Sequence, residues 1–130
     1  MDFYVADTHA LFWYLTASPR LGTNAKAAFD EGAKGNAVIY IPAIVLAELF
    51  FLNEKINQPL DFNKEFQRLE QSAQFEFIGL EPDDVKDFAQ DAAVSEMHDR
   101  MIVGVARRHS IPCLTCDTKI IASNLVKTIW

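Results

Sequence analysis

The chain reads as an α/β fold, with helices on both faces of a parallel sheet of about five strands. Three observations predict it. Strand-like and helix-like segments alternate from one end to the other, the pattern of parallel strands joined by helical crossovers. The clearest strand candidate, Val38-Ile39-Tyr40-Ile41, is β-branched and aromatic, as a buried strand is. Half of the 130 residues are hydrophobic, and a chain of this length buries a sizeable core without disulfides or a structural metal. The surplus of apolar residues feeds a large core or surface reserved for a partner. The length suits one domain over residues 1–130, and no repeat, low-complexity tract or linker divides it.

Taken in order, residues 3–6 read as a strand and 8–16 as a helix stopped by the Ser18-Pro19 turn. Residues 23–33 read as a second helix, with Thr23 or Asn24 available as its cap and Gly35 near its close. The strand at 38–41 ends at Pro42, and 43–54 reads as a helix that is apolar nearly all round. Residues 61–73 carry Phe62, Phe66 and Leu69 at helical spacing. Residues 75–78 form a third strand. Pro82 opens a further helix at its favoured first-turn position, with Asp83 and Asp84 in the same turn. Residues 98–109 place Ile102, Val105 and Ala106 on one helical face, 111–115 form a fourth strand, 118–124 a short helix, and 127–130 a last strand.

The net charge of −6 leaves no general basic footprint for gripping nucleic acid. Any action on nucleic acid therefore needs a local basic patch, a partner or bound cations. The start, Met1-Asp2-Phe3, is not that of a signal peptide. The longest apolar region, residues 38–52, holds Pro42 and Glu48 and is too short to span a bilayer. These features predict a soluble cytoplasmic protein. In a reducing compartment Cys113 and Cys116 form a CxxC pair that could be a redox pair or half a zinc site. With no second CxxC, the plainer reading is two small residues in a buried strand.

In a doubly wound sheet, ligands sit beyond the carboxyl ends of the strands, where strand order reverses. The useful residues are therefore the polar ones at strand ends. Of 18 acids, most lie on amphipathic helices beside Lys or Arg and read as solvated charges. Four do not. Asp7 ends the first strand, where it could equally cap the helix after it. Glu48 is the only charge between Lys34 and Glu54; it either snorkels at an edge or serves a purpose there. Asp99 starts an apolar helix, where it also complements the macrodipole. Asp117 follows the fourth strand, with Thr115 on the same side by strand periodicity. Two of these acids follow strand ends and two lie on helices running back from the same edge, so all four can converge. Ionised neighbours repel, and a bound cation relieves that repulsion. All-oxygen ligands select a hard ion, Mg²⁺ or Mn²⁺.

Three segments carry a family resemblance: "VADTHALFWYL", "IPAIVLAEL" and "HDRMIVGVARRHSIPCLTCD". Together, in order and across essentially the whole chain, they resemble the PIN domain, and more closely the VapC-type toxins of bacterial toxin–antitoxin pairs. The resemblance implies a three-layer α/β/α fold with sheet order 3-2-1-4-5 and a metal-dependent ribonuclease site. Carried over residue by residue, its four acids fall on Asp7, Glu48, Asp99 and Asp117, with Thr115 at the usual Ser/Thr position. It also implies a homodimer and a small antitoxin that covers a hydrophobic groove and blocks the site.

On that basis Asp7, Asp99 and Asp117 hold one or two Mg²⁺ or Mn²⁺ ions, and Glu48 binds a second ion or orients the attacking water. Thr8 and Thr115 support the carboxylates from behind. Water attack on an RNA phosphodiester leaves a 5′-phosphate and a 3′-hydroxyl. Arg100, Arg107, Arg108 and Lys119 share the C-terminal third and are candidates for RNA contact, although Arg107 and Arg108 equally suit a last helical turn. His98 and His109 read as surface residues, and His9 is not assigned to the phosphate. A rival reading is a PIN-like protein-binding module with weak or no nuclease activity, motivated by the apolar residues at 11–15 and 49–52. A phosphatase or receiver fits poorly, because a dehalogenase-type phosphatase wants a second Asp where His9 stands.

Overall fold

The computed structural model describes residues 1–130. Five strands, β1 (Asp2–Ala6), β2 (Ala37–Pro42), β3 (Phe75–Ile78), β4 (Cys113–Leu114) and β5 (Thr128–Ile129), form one sheet in the order β3-β2-β1-β4-β5. Every pairing is parallel. Helices α1 (Thr8–Leu15), α2 (Thr23–Ala33), α3 (Ala43–Lys55), α4 (Phe62–Gln71), α5 (Pro82–Val85), α6 (Met97–His109) and α7 (Thr118–Ser123) complete a three-layer α/β/α arrangement. The chain leaves β1 toward β2 on one side and returns from β3 to β4 on the other. The strand order thus reverses between β1 and β4, and the crevice lies beyond their carboxyl ends. Asp7 and Asp117 stand at this place.

The core is built on the central strands. Val5, Ala6, Ile39, Ile41 and Leu114 are fully buried, and Leu11, Phe29, Val45, Leu49 and Ile102 close over them from the helices. Tyr14 stacks on Phe29 with ring centroids 4.3 Å apart, locking α1 against α2. No helix is long and apolar enough to cross a membrane.

Several local expectations change. Gly22, rather than Thr23 or Asn24, is the cap residue of α2, and no side chain caps that end. Helix α3 does have a wet side: Val45, Leu49 and Asn53 are its buried positions, while Phe50 and Phe51 are exposed, Phe51 by 67%. Hydrophobic content alone cannot tell a core face from a surface kept for a partner. Asn53 is buried because it acts as a clip. Its amide donates to the Leu60 carbonyl and its carbonyl accepts the Leu60 N–H, both at 3.0 Å, closing the turn into α4. The helix opened by Pro82 runs only to Val85 and is followed by a separate 3-10 turn over Phe88–Asp91.

Two further corrections concern polar residues. Cys113 is buried but Cys116 is exposed, because β4 is only two residues long and the chain has turned outward by position 116. Both thiols are free. Asp91, read with the solvated acids, is fully buried and paired with Arg107.

Candidate active site

Beyond the ends of β1 and β4 lies a cavity of about 430 Å³, into which Asp7, Glu48, Asp99 and Asp117 all face. Each acid arrives for a separate local reason. Asp7 leaves β1 in an extended conformation and caps α1, its carboxylate accepting the Ala10 N–H at 2.8 Å. Asp117 caps α7 in the same way, accepting from the Lys119 and Ile120 amides at 2.9 Å. Capping and facing the cavity are compatible, because a carboxylate carries more lone pairs than a cap uses. Glu48 comes from the middle of α3 and Asp99 from the first turn of α6.

The supporting hydroxyls sit behind these acids. Thr8 Oγ1 donates to Glu48 Oε1 at 2.6 Å, a bond between residues 40 apart in the chain. Thr115 is fully buried, and its Oγ1 accepts the Asp117 N–H at 3.0 Å, shaping the turn that presents Asp117.

The electrostatics are those of a site short of positive charge. Burial pushes the Asp7 carboxyl above its usual range; the Thr115 hydroxyl and Ala10 amide pull the other way, and Asp117 adds to the rise. Asp99 is pushed up to about 6, by burial first and then by Asp117, Glu96, Glu48 and Asp7. The buried Cys113 thiol is raised by desolvation first and then by Asp7, Asp99 and Asp117. Asp7, Asp99 and Asp117 form no ion pair with any Lys or Arg.

The donor set fits a hard divalent cation: oxygen ligands, a surplus of negative charge and open volume between them. As the side chains stand, no three of the acidic, histidine or cysteine groups are arranged as a ready-made ion cage. Uncompensated carboxylates repel one another, and this spacing is consistent with that repulsion.

A pH prediction follows from Asp99. Its carboxyl titrates near 6 in the fold and near 3.8 as an ordinary group, so between those values the folded state holds a proton that the unfolded chain has lost. Ionising Asp99 therefore costs stability as pH rises through this window, and the cost stays constant above it. In EDTA, the melting temperature of the wild type should fall relative to Asp99→Asn between about pH 4 and pH 6. A divalent cation held by these carboxylates would need their ionised form, so millimolar Mn²⁺ should raise the wild-type value more near pH 7 than near pH 5. Parallel melting curves for the two proteins across that range count against a charge-strained Asp99.

Sequence reasoning passed over several wall residues. Glu96 caps α6, accepting the Asp99 N–H at 2.7 Å, and also meets His98 Nδ1 at 2.7 Å. The Glu96 hydrogen bond is the main reason the His98 pKa is raised, and His98 Nδ1 also lies 3.9 Å from Glu48 Oε2. His9, Trp13, Leu52 and Cys116 also line the wall. Glu96 is not among the favoured capping residues, so its role at the start of α6 carried no clear sequence signal. The cations named for RNA contact divide: Arg107 pairs with Asp91 and Asp87, Arg108 with Asp84, and Arg100 donates to the Val94 carbonyl. Lys119 stays exposed and unpaired beside Asp117.

A protein-family model described as PIN domain matches residues 4–123. Among solved structures, the chain is similar to a toxin–antitoxin complex from Klebsiella pneumoniae, at 20% identity, 98% coverage of this chain, 96% of that chain and a TM-score of 0.70. It is similar to VapBC2 from Rickettsia felis bound to a promoter DNA fragment, at 16% identity, 98% and 97% coverage and a TM-score of 0.67. A third is FitAcB from Neisseria gonorrhoeae, at 22% identity, 98% and 96% coverage and a TM-score of 0.66. At these identities the likeness is one of fold. No curated protein sequence matches the chain.

Proposed function

The chain belongs to the PIN domain family, and from that premise we propose that it is a metal-dependent ribonuclease, the toxin half of a toxin–antitoxin pair. One observation carries the reading: four carboxylates from four separate chain segments line one cavity at the strand-order reversal, with no basic partner for Asp7, Asp99 or Asp117.

Asp7, Asp99 and Asp117 are the ligands for Mg²⁺ or Mn²⁺, and Glu48 serves a second ion or the attacking water. A bound ion of this kind lowers the pKa of its water and offsets charge on the phosphoryl oxygens. Thr8 fixes the rotamer of Glu48 through Oε1 and leaves Oε2 toward the cavity side where His98 lies. Thr115 holds the Asp117 turn and faces Asp7. The caps on α1 and α7 keep both Asp carboxylates from swinging away. Hydrolysis by water leaves a 5′-phosphate and a 3′-hydroxyl.

The partner proposal is a small antitoxin and a homodimer. Exposed Phe50 and Phe51 support an apolar surface that something covers. Toxin–antitoxin complexes among the similar structures support the same reading. The exposed phenylalanines equally favour a PIN-like module that binds protein without turnover. One assay separates the two: purified protein with single-stranded RNA in Mn²⁺ or in EDTA. Cleavage to 5′-phosphate ends only in Mn²⁺ supports the nuclease. Equal activity in both overturns it, and no cleavage in either leaves the binding module.

A further inference from the structure

We propose that His9 and Trp13 form a nucleobase subsite at the rim of the acidic cavity, with Arg20 as its phosphate contact. The inference rests on the ribonuclease reading above and adds where an unpaired RNA base is held while its phosphate meets the carboxylates.

His9 and Trp13 are four residues apart on α1, so their rings share a helical face. Their centroids are 5.3 Å apart at 49°, and both rings line the cavity that Asp7 lines. His9 is exposed and Trp13 half-buried. Trp13 is packed from one side, where Trp130 meets it edge-on at 5.6 Å. Trp130 in turn presses on Gly22 so closely that a Cβ there falls 2.4 Å from the Trp130 carbonyl carbon. An indole packed in this way at the mouth of a polar cavity is a platform that costs less to order than a free side chain.

Charge points the same way. The acids repel an RNA strand, and the two arginines at the end of α6 are committed to carboxylates elsewhere. Arg20 is exposed, has no carboxylate partner, and rests with its guanidinium 6.0 Å from the Trp13 ring centroid. That distance is at the outer limit for a cation–π contact. An incoming base displaces it at little cost and finds Arg20 beside the backbone. An aromatic platform with an adjacent cation is the recurring means of holding single strands, and it tolerates any base because every base has a π-face.

The test is fluorescence anisotropy with a labelled oligouridylate and with an abasic ribose-phosphate oligomer of the same length, both in Ca²⁺. The wild type should bind the oligouridylate about tenfold more tightly than the abasic oligomer. Trp13→Leu should lose that preference, Trp13→Phe should retain most of it, and His9→Ala should weaken it. Mn²⁺ affinity by calorimetry should be unchanged in the two Trp13 variants. Equal binding of the two oligomers by wild type, or full preference in Trp13→Leu, overturns the subsite. If Trp13→Leu fails to fold, the wild-type comparison and His9→Ala still decide. RNA cleavage in Mn²⁺ is scored separately, so loss of the ribonuclease reading is distinguishable from loss of the subsite.

Discussion

An Asp7→Asn variant is expected to cleave RNA about a thousandfold more slowly than wild type in Mn²⁺, yet to melt at a higher temperature in EDTA. The activity loss follows from charge. A metal-assisted phosphodiester hydrolysis draws several kcal/mol of transition-state stabilisation from a correctly held cation. Each 1.36 kcal/mol is a factor of ten in rate, so losing about 4 kcal/mol gives the thousandfold figure. The stability gain follows from the same carboxyl. Its pKa is raised in the fold, chiefly by burial, so the ionised form is less comfortable there than in the unfolded chain. That cost is fully present above the folded pKa and vanishes below the unfolded one. Asn carries no charge and so escapes it. Asn is also among the best capping residues, and its carbonyl can keep the 2.8 Å bond from the Ala10 N–H. The fold therefore loses nothing at α1. Rates in Mn²⁺ together with melting temperatures in EDTA near pH 7 check both halves. Retained activity removes Asp7 from the site, and a lowered melting temperature shows that the carboxylate has a structural partner the charge argument omits.

The burial cost behind this prediction is also what made the candidate site legible in the sequence. A carboxylate among Phe, Tyr, Val and Leu is costly, and the cost marks it out. Asp7, Glu48, Asp99 and Asp117 could each be given a bland role, and for Asp7 and Asp117 that role is real: both are caps. What the chain could not reveal one residue at a time was that capping and facing the cavity coincide. The strands were legible because β-branched and aromatic runs between helices have few alternatives. Contacts between distant segments were not. Nothing local ties Thr8 to Glu48, and nothing local tells the buried Asp91 from the exposed Asp83. Phe50 and Phe51 failed for a different reason: apolar residues facing a partner and apolar residues facing the core look alike in sequence. Cys116 was misplaced because it was read as part of a buried strand, and β4 ends at Leu114.

Asp91 leads to the second large expected effect: Asp91→Ala should destabilise the protein by about 3 kcal/mol or more, lowering the melting temperature by about 10 °C. Its carboxylate is fully buried and grips Arg107 in two-point fashion, accepting from Nε at 2.6 Å and from Nη2 at 3.3 Å. Asp87 lies 3.7 Å from the same guanidinium, and Asp84 lies 3.4 Å from Arg108 Nε. Gly104 makes room for this cluster on α6, since a Cβ there falls 2.9 Å from Arg108 Nη1 and 3.2 Å from Asp91 Oδ2. Arg108 Nη1 is already buried without a hydrogen-bond partner, so little is left to absorb the loss. Removing the carboxylate leaves the half-buried Arg107 guanidinium with only Asp87, at 3.7 Å, which is the costly way to break such a pair. Replacing both partners by apolar groups is the cheap way, so Asp91→Leu with Arg107→Met should recover much of the loss. A double-mutant cycle reads the coupling directly, and a change of only a degree or two in Asp91→Ala rules the pair out as a major support. The effect should also reach the site. From Asp91 the chain runs through Val94, whose carbonyl accepts Arg100 Nε at 2.6 Å, to the Glu96 cap and then Asp99. Loosening the pair loosens the segment that aims Asp99, so cleavage by Asp91→Ala should fall off with temperature before the protein unfolds.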